Sequence, residues 1–193
     1  MLLALKCQKI GKKIIAIYAK TVGAFTLYCL MTIKEKGCHD IATPMVIANH
    51  VNSIDILYLT TRFNPLSVVA KESMSRVPVI GSIAKFLQCL FLSRESETAR
   101  KDILEKIKHR MVEYEEKSDT NPLLIFPEGT TSNGRSILRF KNGAFSCLPR
   151  ITIIGLIYDC EGFQQGMEEI TPIEHMIISL CLKVTLTVKM ETI

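Results

Sequence analysis

No CxxC pair occurs in this 193-residue chain, and its seven cysteines (Cys7, Cys29, Cys38, Cys89, Cys147, Cys160 and Cys181) are odd in number and scattered. That pattern argues against a disulfide framework and a zinc site, and for reduced thiols facing a cytosolic compartment. The four histidines, His39, His50, His109 and His175, are equally dispersed, so no metal is expected. Internal repeats and low-complexity tracts are absent too, which suits one domain with a substantial core. Nucleic-acid motifs are missing, and the basic residues are not gathered among aromatics on one segment, which argues against nucleic acid as the partner. What remains is a chain that is both basic, with net charge +5, and 48% hydrophobic. That combination points to a membrane surface, whose anionic lipids attract lysines while apolar side chains insert.

A long uncharged run is also lacking. Residues Ile14 to Ile33 carry one charge, Lys20, behind Lys6, Lys9, Lys12 and Lys13, and only Thr21 to Ile33 is free of charge. Twenty helical residues reach about 30 Å, the thickness of a bilayer core, but a lysine within the span is costly there. The expectation is a membrane-associated helical segment over residues 1–33, lying on or dipping into the bilayer, followed by a folded domain over 34–193. A buried core helix is the alternative for the same stretch. No small-residue cleavage site follows cleanly, which disfavours a signal peptide. Lys34 and Lys36 place positive charge on the second flank as well, so orientation stays open.

Short apolar runs that end in polar residues alternate with helical periodicity. Met45 to Ala48, Leu66 to Ala70, Cys89 to Leu92, Leu123 to Phe126, Ile151 to Tyr158 and Leu182 to Val188 read as strands. Helices are expected from Ser53 onward, from Pro78 through Leu87, and from Ser96 to Lys117, where Ala99, Ile103, Ile107, Met111 and Tyr114 form a stripe widened by Leu104 and Val112. His109, on the charged face of that last helix, reads as solvated and idle. The pattern predicts an α/β fold with a mostly parallel sheet flanked by helices, whose ligands sit beyond the carboxyl ends of the strands. Three strands end in chemistry-bearing residues: Asn49-His50, Ser93-Arg94 and Pro127-Glu128-Gly129.

Of these, His50 is best suited to proton transfer near neutral pH, and Asp55 could orient its ring. On a regular helix a spacing of five separates two residues by roughly 140°. The two meet only if His50 sits on the turn before the helix, with Asn52 or Ser53 as N-cap. The run from Gly129 to Ser136 has the spacing of a phosphate-binding loop, but arginine stands where lysine must reach the phosphates and Glu128 precedes it, so a nucleotide triphosphate site is disfavoured.

Read together, the strand ends carry a resemblance. Asn49-His50 with Asp55 has the pattern NHxxxxD, Phe91 to Arg94 resembles the FIxR element, and Phe126 to Ser132 resembles FPEGTxS. In this order they look like the membrane-bound PlsC-like glycerolipid acyltransferases, the family of lysophosphatidic acid and lysophospholipid acyltransferases. Arg139 to Phe145 is similar to the family's continuation, and Ile151 to Leu156 stands where its fourth block lies. Thr131 replaces an arginine found in many members, Gln88 stands where the second block often begins with glycine, and the fourth block lacks its proline. The chain also ends soon after the last predicted strand, which suits either a minimal form or a fragment.

The resemblance implies acyl transfer from acyl-CoA, a co-substrate rather than a cofactor, to the free hydroxyl of a lysophospholipid. His50 and Asp55 would be catalytic, with His50 removing the hydroxyl proton and Asp55 orienting the ring. Arg94 would meet a phosphate of the acceptor, Glu128 would hold Arg94 or the loop, and Gly129 and Thr130 would contact the acceptor through backbone N–H groups and a hydroxyl. Arg139 and Lys141 could meet the CoA phosphates. No serine or cysteine sits in a nucleophile elbow, which favours direct transfer, and Cys147 reads as a small core residue. With threonine at 131, a phosphodiester head group is expected over a phosphate monoester. The alternatives are a 1-acylglycerol-3-phosphate acyltransferase, a CoA-independent transacylase, and a catalytically silent membrane-surface binding protein. The expected location is peripheral or monotopic on a membrane, with the site on the cytosolic side, at the endoplasmic reticulum in a eukaryote.

Overall fold

A computed structural model of the protein describes residues 21–29, 31–37, 41–63, 65–77, 80–93, 97–117, 119–145, 149–160, 174, 177–178, 181–182 and 184–193. Its frame is a seven-stranded sheet. In chain order, a helix over residues 21–29 (α1) leads to strands β1 (Met31–Gly37) and β2 (Met45–Ala48) and helix α2 (Ser53–Arg62). Then come β3 (Ser67–Lys71), a 3₁₀ turn (Glu72–Arg76), α3 (Ile80–Phe86), β4 (Leu90–Leu92), α4 (Glu97–Glu116) and β5 (Leu123–Ile125). A second 3₁₀ turn (Asn142–Phe145) precedes the long strands β6 (Ile151–Asp159) and β7 (Val184–Thr192).

The strand order is β1-β7-β6-β2-β5-β3-β4. Every neighbouring pair is parallel except β6 with β7. The expected mostly parallel sheet is therefore present, with β7 and β1 as a reversed pair at one edge. β2 sits in the middle because successive crossovers leave it toward β3 while β6 returns to its other side. Such a reversal of strand order is where open α/β sheets place their ligands.

Two apolar layers explain why β2 and β5 read as unbroken hydrophobic runs. Val46, Ala48 and Leu124 face a core with Ile54, Tyr58 and Leu59 of α2, and Leu27 of α1 joins it. Met45, Ile47, Leu123 and Ile125 face Ile103, Ile107 and Met111 of α4 on the other side. The α4 stripe thus packs as its spacing predicts, except that Val112 points outward. His109 is exposed, 3.6 Å from Glu113 Oε2, a surface pairing of little energetic weight.

Of the amino-terminal segment expected over residues 1–33, residues 1–20 and 30 lie outside the described part, α1 covers 21–29, and Met31 to Ile33 are strand rather than helix. Period-two burial explains this: Met31, Ile33 and Glu35 turn inward while Thr32, Lys34 and Lys36 face out. The two lysines that flank an apolar run in the sequence are the outward residues of an edge strand, and the 33/34 boundary falls inside it. In α1, Gly23 is buried so closely against α2 that a Cβ there would clash with Thr61 Oγ1, while Val22, Phe25 and Tyr28 are exposed. Among the described residues no helix is long and apolar enough to cross a membrane.

Candidate active site

His50 and Asp55 come together through a helix cap. Asn52 is the N-cap of α2, its side chain accepting from Ile54 N–H, and Asp55 is the third helical residue, reaching back to the Asn52 N–H as in a capping box. The same Oδ2 accepts from Val51 N–H at 2.6 Å and from Asn52 N–H at 2.9 Å, and it lies 2.9 Å from His50 Nδ1. An oxygen already accepting two backbone N–H groups is an acceptor, so Nδ1 carries the ring proton and Nε2 is the basic nitrogen. Asp55 is 0% exposed and His50 16%. The carboxylate is thus fixed out of solvent while the ring keeps an open part.

The two neighbours of β2 complete the frame. On the β6 side, Asn49 uses its amide as one more rung of the ladder: its Nδ2 donates to Leu156 O at 2.9 Å and its Oδ1 accepts from Leu156 N–H at 2.7 Å. Tyr158, also on β6, donates its hydroxyl to Asp55 Oδ1 at 2.5 Å. Burial first, and then the negative Asp55, push the Tyr158 phenol well above its ordinary pKa, so it remains a donor.

On the β5 side, the Phe126 ring stacks on the His50 ring, with centroids 4.0 Å apart and planes 17° from parallel. Glu128 is buried. Its Oε1 accepts the His50 backbone N–H at 3.0 Å and its Oε2 the Leu138 N–H at 2.9 Å. The Ser132 N–H donates to His50 O at 2.8 Å. The histidine backbone is therefore gripped on both sides by the segment that follows β5. The aromatic face also suits an imidazolium formed during proton transfer.

Of the six residues expected at the site, His50 and Asp55 are in contact and Glu128 is tied to both the His50 backbone and the loop. Gly129 adopts φ +71, which favours glycine, and its N–H already donates to Phe126 O at 3.0 Å. That bond closes the turn after β5. Thr130 is exposed beside it. Arg94 and Cys147 lie outside the described residues. The strand that leads to Arg94, β4, is three strands from β2, about 14 Å at the usual strand spacing. Arg139 and Lys141 are exposed, and the Lys141 side chain passes over Gly129, where an added Cβ would lie 2.8 Å from Nζ.

Phe126, Asn49 and Tyr158 are the residues whose roles sequence reasoning left unassigned. Phe126 and Asn49 fall inside the quoted motifs, whereas Tyr158 stands out only as a polar-tipped residue ending an apolar strand. Gln88 carries φ +58, a backbone conformation that favours the glycine which the resemblance led one to expect there. Here Arg110, itself buried, donates to Gln88 O at 2.9 Å and holds the strained turn.

The family model described as Acyltransferase matches residues 36–158. A lysophospholipid acyltransferase of Arabidopsis thaliana is 34% identical over 137 residues, covering 70% of this chain and 34% of that protein. A 1-acyl-sn-glycerol-3-phosphate acyltransferase of Haemophilus influenzae is 32% identical over 106 residues, covering 54% of this chain and 42% of that protein. The chain thus spans less than half the length of either relative. The crystal structure of PlsC, the 1-acyl-sn-glycerophosphate acyltransferase of Thermotoga maritima, shares the fold with a TM-score of 0.64 at 17% identity, covering 95% of this chain and 70% of that one. Residues 36–158 contain His50, Asp55, Phe126, Glu128 and Tyr158, and over them the chain belongs to the PlsC-like glycerolipid acyltransferase family.

Proposed function

We propose that the protein transfers a fatty acyl group from acyl-CoA to the free hydroxyl of a lysophospholipid, with a phosphodiester head group favoured. The observation that carries this reading is the His50 Nδ1 to Asp55 Oδ2 contact of 2.9 Å at the carboxyl edge of the central strand, which leaves Nε2 as a base. Nε2 takes the hydroxyl proton as the oxygen attacks the thioester carbonyl. The carbon–sulfur bond then breaks, and the imidazolium returns its proton to the departing thiolate, a good leaving group because thiol pKa values lie near 8–9. Asp55 supports the transient positive charge.

The membrane-surface location is supported by the exposed Val22, Phe25 and Tyr28 of α1. The head-group preference rests on Thr131, which stands next to Ser132, whose N–H bonds the His50 carbonyl. A phosphate monoester carries close to two negative charges near neutral pH, and threonine offers no countercharge there.

The test is turnover of labelled acyl-CoA with a panel of lysophospholipids, products identified by mass spectrometry. Choline or ethanolamine lysolipids are the expected acceptors, and Thr131→Arg should move preference toward lysophosphatidic acid by about tenfold, the worth of one charged hydrogen bond. Strong wild-type preference for the monoester removes the head-group proposal. Absence of turnover with acyl-CoA but transfer from a phospholipid donor identifies a transacylase instead.

A further inference from the structure

From Gly129 to Arg150 the chain has no Asp or Glu, yet it has Arg135, Arg139, Lys141 and Arg150. Apolar side chains are interleaved with these charges, and they do not fold inward. Ile137 is 69% exposed, and Leu138, Phe140 and Phe145 also meet solvent, the last two as a stacked pair with centroids 6.1 Å apart. Single exposed apolar residues need no explanation, but four within nine residues, framed by charge of one sign only, form a patch that does.

We propose that residues 135–145 form a lipid-contact loop that seats the catalytic edge on an anionic bilayer, Ile137 and the phenylalanines entering the head-group boundary while the arginines and Lys141 meet lipid phosphates. A bilayer offers both chemistries that the loop presents, apolar interior and anionic surface. The CoA moiety could pair with the cations but would leave Ile137 in water. The base of the loop is fixed to the site: Leu138 N–H bonds Glu128 Oε2, whose other oxygen holds the His50 N–H, and Lys141 N–H bonds Pro127 O at 2.9 Å. A membrane contact here brings the base to the surface where a lysolipid presents its hydroxyl. The proposal deepens the functional reading above and rests on it for its purpose, but it concerns binding rather than turnover.

The chain contains no tryptophan, so Ile137→Trp supplies a lone fluorescent reporter. Val112→Trp, on the exposed outer side of α4, is the control. Each variant of the 193-residue chain is mixed with vesicles of phosphatidylcholine and phosphatidylserine, with and without brominated acyl chains, and sedimentation reports total binding. The expected result is a blue shift and bromolipid quenching for Ile137→Trp, both reduced in vesicles of phosphatidylcholine alone, with the Val112→Trp emission unchanged. The proposal is overturned if the Ile137→Trp emission stays that of a solvated indole while the protein sediments with vesicles, if both variants are quenched alike, if no vesicle binding occurs, or if acyl-CoA without vesicles gives the same shift. None of these readings requires turnover, so absent acyl transfer in the wild type would count against the proposed function alone.

Discussion

Tyr158→Phe removes one oxygen from the site and leaves the ring volume in place. Asp55, with no exposed surface, holds His50 Nδ1 and two backbone N–H groups on Oδ2, while Oδ1 accepts the Tyr158 hydroxyl. A hydrogen bond to a charged group contributes about 1.5–3 kcal/mol. If roughly half of that is felt in the transition state, through the hold of Asp55 on the His50 ring, the loss corresponds to about tenfold in kcat, since about 1.4 kcal/mol is a factor of ten. Without the Tyr158 donor the carboxylate is fixed through Oδ2, so the ring it orients is held less firmly. The fall goes no further than roughly tenfold because the Val51 and Asn52 N–H groups still hold the carboxylate. Initial rates measure it, with thermal unfolding as the control for integrity. A folded Tyr158→Phe protein with wild-type kcat would refute the role given to this hydroxyl.

His50→Ala should lower turnover by about 10²–10⁴ with the fold retained, because the ring touches Phe126 and Asp55 but anchors no secondary structure; circular dichroism and initial rates check the two halves. Gln88→Gly should raise stability by about 0.5–1 kcal/mol in urea titrations, whereas Gln88→Val should lower it, since φ +58 suits glycine and is worst for a β-branched side chain. The phenols of Tyr58 and Tyr158 are both raised, Tyr58 by burial first and then by its bond to Glu35, so the folded state keeps protons that the unfolded chain releases above about pH 10. Their contribution is present below that pH and is lost as pH rises past it, and Tyr58→Phe should flatten the alkaline decline in urea midpoints relative to wild type.

What the sequence reveals here depends on how local the determinant is. The apolar runs of β2 and β5 and the α4 stripe Ile103, Ile107, Met111 are local patterns, and they fold as read. The strand Met31–Gly37 was hidden because its inward residues, Met31 and Ile33, continue the hydrophobicity of α1, and only pairing with β7 reveals its period of two. Strand order is non-local, so nothing in the chain announces that β5 lies beside β2 or that β6 lies on the other side. Phe126 and Tyr158 acquire their roles from that adjacency alone, being 76 and 108 residues from His50 along the chain.

The His50–Asp55 spacing follows from the helix cap, and this makes it nearly inflexible. A carboxylate at the third helical position can return to the N–H groups of the cap residue and its predecessor, here Asn52 and Val51. The residue one place earlier, His50, then stands at the mouth of the turn with its ring against the same oxygen. Moving the acid one residue along the helix would rotate it by about 100° away from those donors, so a spacing of four or six would lose the cap and the dyad together. The acid that orients the His50 ring is therefore also the one that starts α2, and α2 supplies Ile54, Tyr58 and Leu59 to the core over the central strand. Asn49 and Glu128 fix the other approach, one through the β6 ladder and one through the His50 backbone. With strand, helix and loop each constraining a different atom of the same short turn, the His50 ring is placed before any ligand arrives, which is the condition that the proposed general-base role requires.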